Sequence, residues 1–367
     1  MSVKISQRMK LIDSSGIRKV FDLASKMKDP INLSIGQPDF DTPEDIKQSA
    51  IRAISEGKNK YTLTQGLKEL NQKLLEKYRS QYPKNPPESI FISSGVSGGL
   101  LLACMALIDP GDEVLISDPY FVMYKHLVNL MGGKPVFYDL YPDFKIKREA
   151  LEKKITDRTK LIIINSPNNP TGIVHTREEI RIVAELAEEN DIFIISDEIY
   201  DSYVYNNDYT SILDFTNNAL VMKGFSKNYS ITGWRMGAVM GPDEVISQMI
   251  TLQQYTFVCA PAPFQYAVLE NLDSDLTKYR DEYQKKRDTI YEGLKEKFDI
   301  VKPEGAFYIF PKAPDGKASE FVEKAIAKNL LIIPGNVFSE KDTHFRIAYT
   351  ADIKTLQRGA EILNSLV

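Results

Sequence analysis

The chain is poor in the residues that build disulfide frameworks and metal sites. Two cysteines in 367 residues, Cys104 and Cys259, both in apolar settings, argue against a disulfide scaffold and for a reducing compartment. Three histidines, His126, His175 and His344, lie far apart without metal-ligand spacing, so no metal is expected. No apolar run approaches the roughly 20 residues that cross a bilayer. The opening MSVKISQRMKLIDSSG has neither the apolar core nor the small-residue cleavage site of a secretory signal. A cytoplasmic protein without a membrane partner is the expectation. Basic residues number 46 against 50 acidic ones, for a net charge of −4, and they form no basic block, which argues against nucleic acid. Internal repeats, low-complexity tracts and Gly/Ser linkers are also missing.

What is present is length and alternation. The chain exceeds one ordinary domain, so two lobes are expected. Strand-like runs occur at Glu113 to Ser117, Leu161 to Ile164, Ile192 to Ile195, Leu220 to Gly224 and Gly237 to Gly241. After the second, Thr176 with Glu179 three residues on forms a capping-box pattern. Ile180, Val183, Ala184 and Ala187 then give one apolar helical face, and Asn190 and Asp191 stop it. Continuous apolar strands alternating with amphipathic helices predict an α/β fold with a mostly parallel sheet covered on both faces. Ligands in such sheets sit beyond the carboxyl ends of the strands. The polar motifs NSPNNPTG, SDEIY and FSK each follow a strand, so they should converge on one crevice.

The chemistry concentrates in GFSKNYSITGWRMG, Gly224 to Gly237. Lys227 and Arg235 are eight residues apart there, and two cations so close call for an anion. A phosphorylated aldehyde would supply it: the lysine amine condenses with the aldehyde while the arginine pairs with the phosphate as a fork. Asp197, thirty residues before Lys227, would then hold the proton of a pyridine nitrogen, and that protonated ring is the electron sink of pyridoxal phosphate chemistry. The segment SSGVSGGLLLAC, Ser93 to Cys104, is a glycine-rich turn opening an apolar helix. Alone it reads as an ordinary turn; beside Lys227, Asp197 and Arg235 it reads as a phosphate cup made by a helix N-terminus. Its spacing does not match the G-x-G-x-x-G of dinucleotide folds.

Together these motifs resemble the fold-type I pyridoxal-phosphate aminotransferases of class I, the aspartate and aromatic aminotransferase group. The similarity runs nearly the whole length. It takes in LSIGQPDFDTP (Leu33 to Pro43), KYT with GLKEL (Lys60 to Leu70), SGVSGGL, DPYFVMY (Asp118 to Tyr124), NSPNNPTG and SDEIYDSYVY. It continues through GFSKNYSITGWRMG to PEGAFYIFP (Pro303 to Pro311) and FRIAYT (Phe345 to Thr350).

The resemblance implies a pyridoxal 5'-phosphate cofactor and a division of labour. Lys227 would bond the cofactor and shuttle a proton, Asp197 would hold the pyridinium, and Tyr200 and Asn169 would hydrogen-bond the phenolic oxygen. Phe121 would stack on the ring, at a position where many relatives carry tryptophan. Gly95, Val96, Ser97 and Arg235 would bind the phosphate, with Ser226 as a further contact; the hydroxyl some relatives place three residues before the lysine is Gly224 here. Arg346 would clamp the substrate carboxylate and Gly36 would approach it by its backbone. Tyr61 would reach the phosphate of a neighbouring subunit, which implies a homodimer with shared sites. A large cofactor domain of residues 43–272 and a small domain from 1–42 and 273–367 are implied as well.

The substrates implied are an L-amino acid and a 2-oxo acid such as 2-oxoglutarate, exchanged by a ping-pong mechanism. A dicarboxylic donor needs a distal cation. Some relatives specialised for aspartate carry a lysine where this chain has Ser97, and Gln253 to Tyr266 offers no arginine or lysine. Aromatic or broad-range donors are therefore favoured. Aspartate stays open through Arg18 or Lys19, and a carbon–sulfur lyase would share every cofactor residue. A regulator built on this fold would need a DNA-binding module ahead of LSIGQPDF, where only about thirty residues precede it.

Overall fold

The computed structural model describes residues 3–14, 16–206 and 209–367, with residues 19 and 21 described by backbone alone. After a short strand β1 (Ile31–Asn32) come seven strands of one sheet: β2 (Ser89–Ser94), β3 (Glu113–Asp118), β4 (Lys134–Asp139), β5 (Thr159–Asn165), β6 (Phe193–Asp197), β7 (Ala219–Gly224) and β8 (Met236–Gly241). Four more short strands follow, β9 (Tyr308–Ile309), β10 (Leu330–Leu331), β11 (Ile333–Pro334) and β12 (Phe345–Ala348).

The large sheet has the order β2-β8-β7-β6-β5-β3-β4. Its strands run parallel except β8, which is antiparallel to both neighbours, β2 and β7. Alternate residues of each strand enter two separate buried clusters. Ile116, Ile163, Ile195 and Met222 pack on one side, and Leu115, Ile162, Ile194 and Val221 on the other. Both faces are thus apolar, which is why these strands read as continuous β-branched runs rather than alternating ones.

The expected elements lie within a residue or two of where the sequence put them. The helix Arg177–Glu189 opens on a complete capping box: Thr176 Oγ1 accepts from the Glu179 amide, and the Glu179 carboxylate accepts from the Thr176 amide. Two backbone donors that the first helical turn leaves unpaired are satisfied in this way. Among the described residues no helix is long and apolar enough to cross a membrane.

Two smaller sheets join distant parts of the chain. β1 pairs in parallel with β10, so residues 31–32 lie beside 330–331. β12 sits between β11 and β9, antiparallel to both. This second sheet carries Tyr308 and Arg346 to the crevice at the carboxyl end of the main sheet.

Candidate active site

Five strands of the main sheet deliver the site from one edge. β2 ends at Ser94, and the next residue, Gly95, starts the helix Gly95–Leu107. β5 ends at Asn165 ahead of Asn169, β6 ends on Asp197, and β7 ends at Gly224 ahead of Lys227. β8, running the other way, starts just after Arg235. Convergence at the strand ends follows from direction alone.

These residues line a cavity of about 290 Å³. Gly36, Val96, Ser97, Phe121, Asn169, Asp197, Tyr200, Ser226, Lys227, Arg235 and Arg346 all line it. Gly95 is not among the lining residues; it directly precedes Val96 and has φ +69, a left-handed backbone that a side chain rarely adopts. A Cβ there would also fall 2.6 Å from Arg235 Nη2. Arg235 itself has φ 57 and donates to the carbonyls of Thr232 and Ser94. A strained non-glycine residue held this way aims its guanidinium across the helix N-terminus.

Tyr61 is not in this cavity: it is 83% exposed on the surface of its own chain. Ser226 Oγ donates to the Met236 carbonyl at 3.3 Å while lining the cavity. At Gly224 the space for a side chain is filled, since a Cβ would lie 1.6 Å from Ile199 Cδ1. The missing hydroxyl at this position therefore has a steric cause. Arg18 lies outside the cavity lining, 3.5 Å from Asp22; the Lys19 side chain lies outside the described residues.

Several lining residues had no role assigned from sequence. Tyr124 donates to Asp197 Oδ2 at 2.7 Å, and the Ile199 amide donates to Oδ1 at 3.2 Å. Tyr308 joins Tyr200 through a 2.8 Å hydroxyl contact. Ile17, Leu100, Asn165, Ile199 and Thr232 complete the wall, three of them apolar. Outside the lining, buried Lys223 pairs with buried Glu198 and half-buried Asp201 at 2.6 and 2.7 Å, a triad that fixes the segment bearing Asp197 and Tyr200.

The electrostatics ask for a group that carries both an anion and a protonated ring nitrogen. Burial lowers the Lys227 amine to about 8, and the Arg346 and Arg235 guanidiniums push it in the same direction. The amine is thus a partly neutral nucleophile near pH 7. Its Nζ meets the Gly36 carbonyl at 2.8 Å. Burial raises Asp197 to about 6 in spite of its hydrogen bonds from Tyr124 and Ile199. A cationic ring N–H would restore its charge, because an opposite charge favours the ionised carboxylate. Arg346 is 1% exposed, donates to Asn169 Oδ1 at 3.0 Å and to the Ser34 carbonyl at 2.7 Å, and leaves Nε without an acceptor among the described residues. A buried cation with no carboxylate partner is costly unless an anion is meant to arrive. Pyridoxal phosphate and an amino-acid carboxylate fit these three demands.

Comparison with known proteins agrees with the geometry. The family described as aminotransferase class I and II matches residues 28–363. A probable aspartate aminotransferase of Methanocaldococcus jannaschii is 40% identical over 99% of both chains. An aromatic-amino-acid aminotransferase 2 of Thermococcus litoralis is 35% identical over 99% of this chain and 98% of its own. The solved structure of the Thermus thermophilus aspartate aminotransferase with maleate superposes with a TM-score of 0.94 at 31% identity, covering 100% of each chain. Full-length kinship at these identities, on a cavity built this way, shows that the chain belongs to the class I and II aminotransferases, as a pyridoxal 5'-phosphate-dependent transaminase of the fold-type I structure.

Proposed function

We propose that this transaminase takes aromatic or broad-range L-amino acids as donors and 2-oxoglutarate or a similar 2-oxo acid as acceptor, in two half-reactions at one site. The observation that carries this reading is the cation count of the cavity: its lining cations among the described residues are Lys227, Arg235 and Arg346, and each already has a task. Bound pyridoxal phosphate supplies an electron sink that makes the Cα proton of the amino acid removable. The chain's own residues do the rest. Gly95, Val96 and Ser97 offer the amides and hydroxyl of a helix N-terminus to the phosphate, and Arg235 adds a charge. Asp197 holds the ring proton and is itself held by Tyr124. Phe121, edge-on to Tyr124 at 5.6 Å, would hold the cofactor ring by stacking. Asn169 and Tyr200 hydrogen-bond the phenolic oxygen, Arg346 takes the substrate carboxylate beside Gly36, and Lys227 carries the proton from Cα.

A dicarboxylic donor would bring its second charge against Ile17, Leu100 and Phe121 with no spare cation; 2-oxoglutarate bears the same cost in its own half-reaction, and because that cost is common to every donor it leaves their ranking unchanged. With 2-oxoglutarate as acceptor, phenylalanine or tyrosine should give the higher kcat/KM, and Ser97→Lys should shift the ratio toward aspartate. Aspartate is the second reading, supported by relatives that carry that name. An amino-donor screen decides between them. A tenfold wild-type preference for aspartate, about 1.4 kcal/mol in the transition state, overturns the aromatic reading.

The domain division at residues 43–272 is part of this proposal, supported by β1 joining β10 across the chain. A homodimer is too. Tyr61, Leu63, Tyr255 and Val258 are exposed apolar side chains, and Gln253 ties their two segments together by donating to the Thr64 carbonyl at 2.6 Å. This patch abuts the phosphate cup, since a Cβ on Gly98 would touch the Phe257 ring at 3.4 Å. A second copy seated there would bring its Tyr61 near the cup. Sedimentation should give twice the mass of the 41.6 kDa chain; a monomer at micromolar concentration would contradict it. A reducing cytoplasm suits both cysteines, which are free.

A further inference from the structure

Tyr308 touches three parts of the site that the transamination roles keep separate. It lies on β9, paired with β12, the strand of Arg346. Its hydroxyl is 2.8 Å from that of Tyr200, and both side chains are buried. Its ring lies 4.6 Å from the Arg346 guanidinium carbon, and the Phe338 ring holds the same guanidinium at 4.5 Å. A Cβ on Gly36 would fall 2.1 Å from the Tyr308 hydroxyl, so the glycine makes room for this phenol.

Two facing phenols share two protons, and each can donate in only one direction at a time. If Tyr200 spends its proton on Tyr308, it presents only lone pairs to the cavity. If Tyr308 donates to Tyr200, the Tyr200 proton is free to point inward. A guanidinium against the Tyr308 ring draws electron density from its oxygen and makes Tyr308 the stronger donor; burial raises both hydroxyls, and the offset from Arg346 comes second only to burial at Tyr308 but is the last-named influence at Tyr200. We infer that Tyr308 is a positioning residue that turns the Tyr200 proton into the cavity, so that the donor to the cofactor's phenolic oxygen is a relay of two tyrosines braced by the carboxylate clamp. This rests on the reading of Tyr200 as that donor.

The test uses the cofactor-loaded protein and reads the pH midpoint of its visible absorbance. A donor to the phenolic oxygen favours the deprotonated form and lowers that midpoint. Tyr308→Phe keeps the ring over Arg346 and removes the hydroxyl. Because Tyr200 then loses the incoming hydrogen bond that strengthens its own O–H as a donor, the midpoint should rise by roughly half a unit or more, Tyr200→Phe should raise it further, and the double variant should match Tyr200→Phe alone. KM for the amino acid should stay within about threefold in Tyr308→Phe, because the guanidinium keeps its aromatic support. A midpoint that moves in Tyr200→Phe but not in Tyr308→Phe, or shifts that add in the double variant, overturns the relay. Unmoved midpoints in both single variants overturn the role of Tyr200 and the relay with it.

Discussion

Lys227→Ala is expected to abolish transamination, with kcat falling by roughly 10⁴-fold or more, because in the proposed mechanism one change removes both the covalent partner of the cofactor and the base that moves its proton. No other lysine lines the cavity among the described residues, so nothing nearby takes over. The fold should survive. Lys227 is half-buried, and its amine makes one hydrogen bond to the Gly36 carbonyl and a 5.8 Å approach to the Phe307 ring. Removing a desolvated charge offsets part of what those contacts contribute. Circular dichroism and the melting temperature of the cofactor-free protein should therefore match wild type while turnover disappears. A variant that retains a tenth of the activity would place the chemistry on another group.

The second large effect is expected at the carboxylate clamp. Arg346→Lys keeps the charge, but an ammonium cannot reproduce two parallel N–H bonds while also holding Asn169 Oδ1 and the Ser34 carbonyl. The loss should be about 2–3 kcal/mol, a fall in kcat/KM of roughly 30- to 150-fold. It should be felt alike by aromatic and acidic donors, since every α-amino acid carries that carboxylate. Cofactor affinity should barely change. Steady-state kinetics with two donors checks this. A loss confined to aspartate would mean that Arg346 reads the side chain and that the α-carboxylate is held elsewhere.

Much of this site was legible in the sequence because its residues follow strands with a local signature. The runs at Leu161 to Ile164, Ile192 to Ile195 and Leu220 to Gly224 are buried on both faces, so they stand out as continuous apolar stretches, and each hands directly to a polar motif. Direction was less legible. Gly237 to Gly241 reads as a strand, but its antiparallel course comes from lying between β2 and β7, which no local pattern encodes. The strands β9 to β12 span two to four residues each, too short to show a period. Tyr124 and Tyr308 were inside recognised motifs yet without a role. A tyrosine looks like any core aromatic until its partner is known, and the partners lie 73 and 108 residues away. Ile199 was hidden for a similar reason: its effect is to occupy the space beside Gly224, a contact between strand ends.

The central claim is that Lys227 bonds the cofactor at the head of this crevice, and borohydride reduction followed by peptide mapping tests it most directly. Hydride reduction would make the lysine–cofactor link permanent, so digestion should yield one peptide carrying the cofactor mass, and fragmentation should place it on Lys227 within GFSKNYSITGWR. The same treatment of Lys227→Ala should yield none. A cofactor adduct found on any other lysine of the wild-type chain, or a protein that reduces without retaining cofactor, would contradict the account.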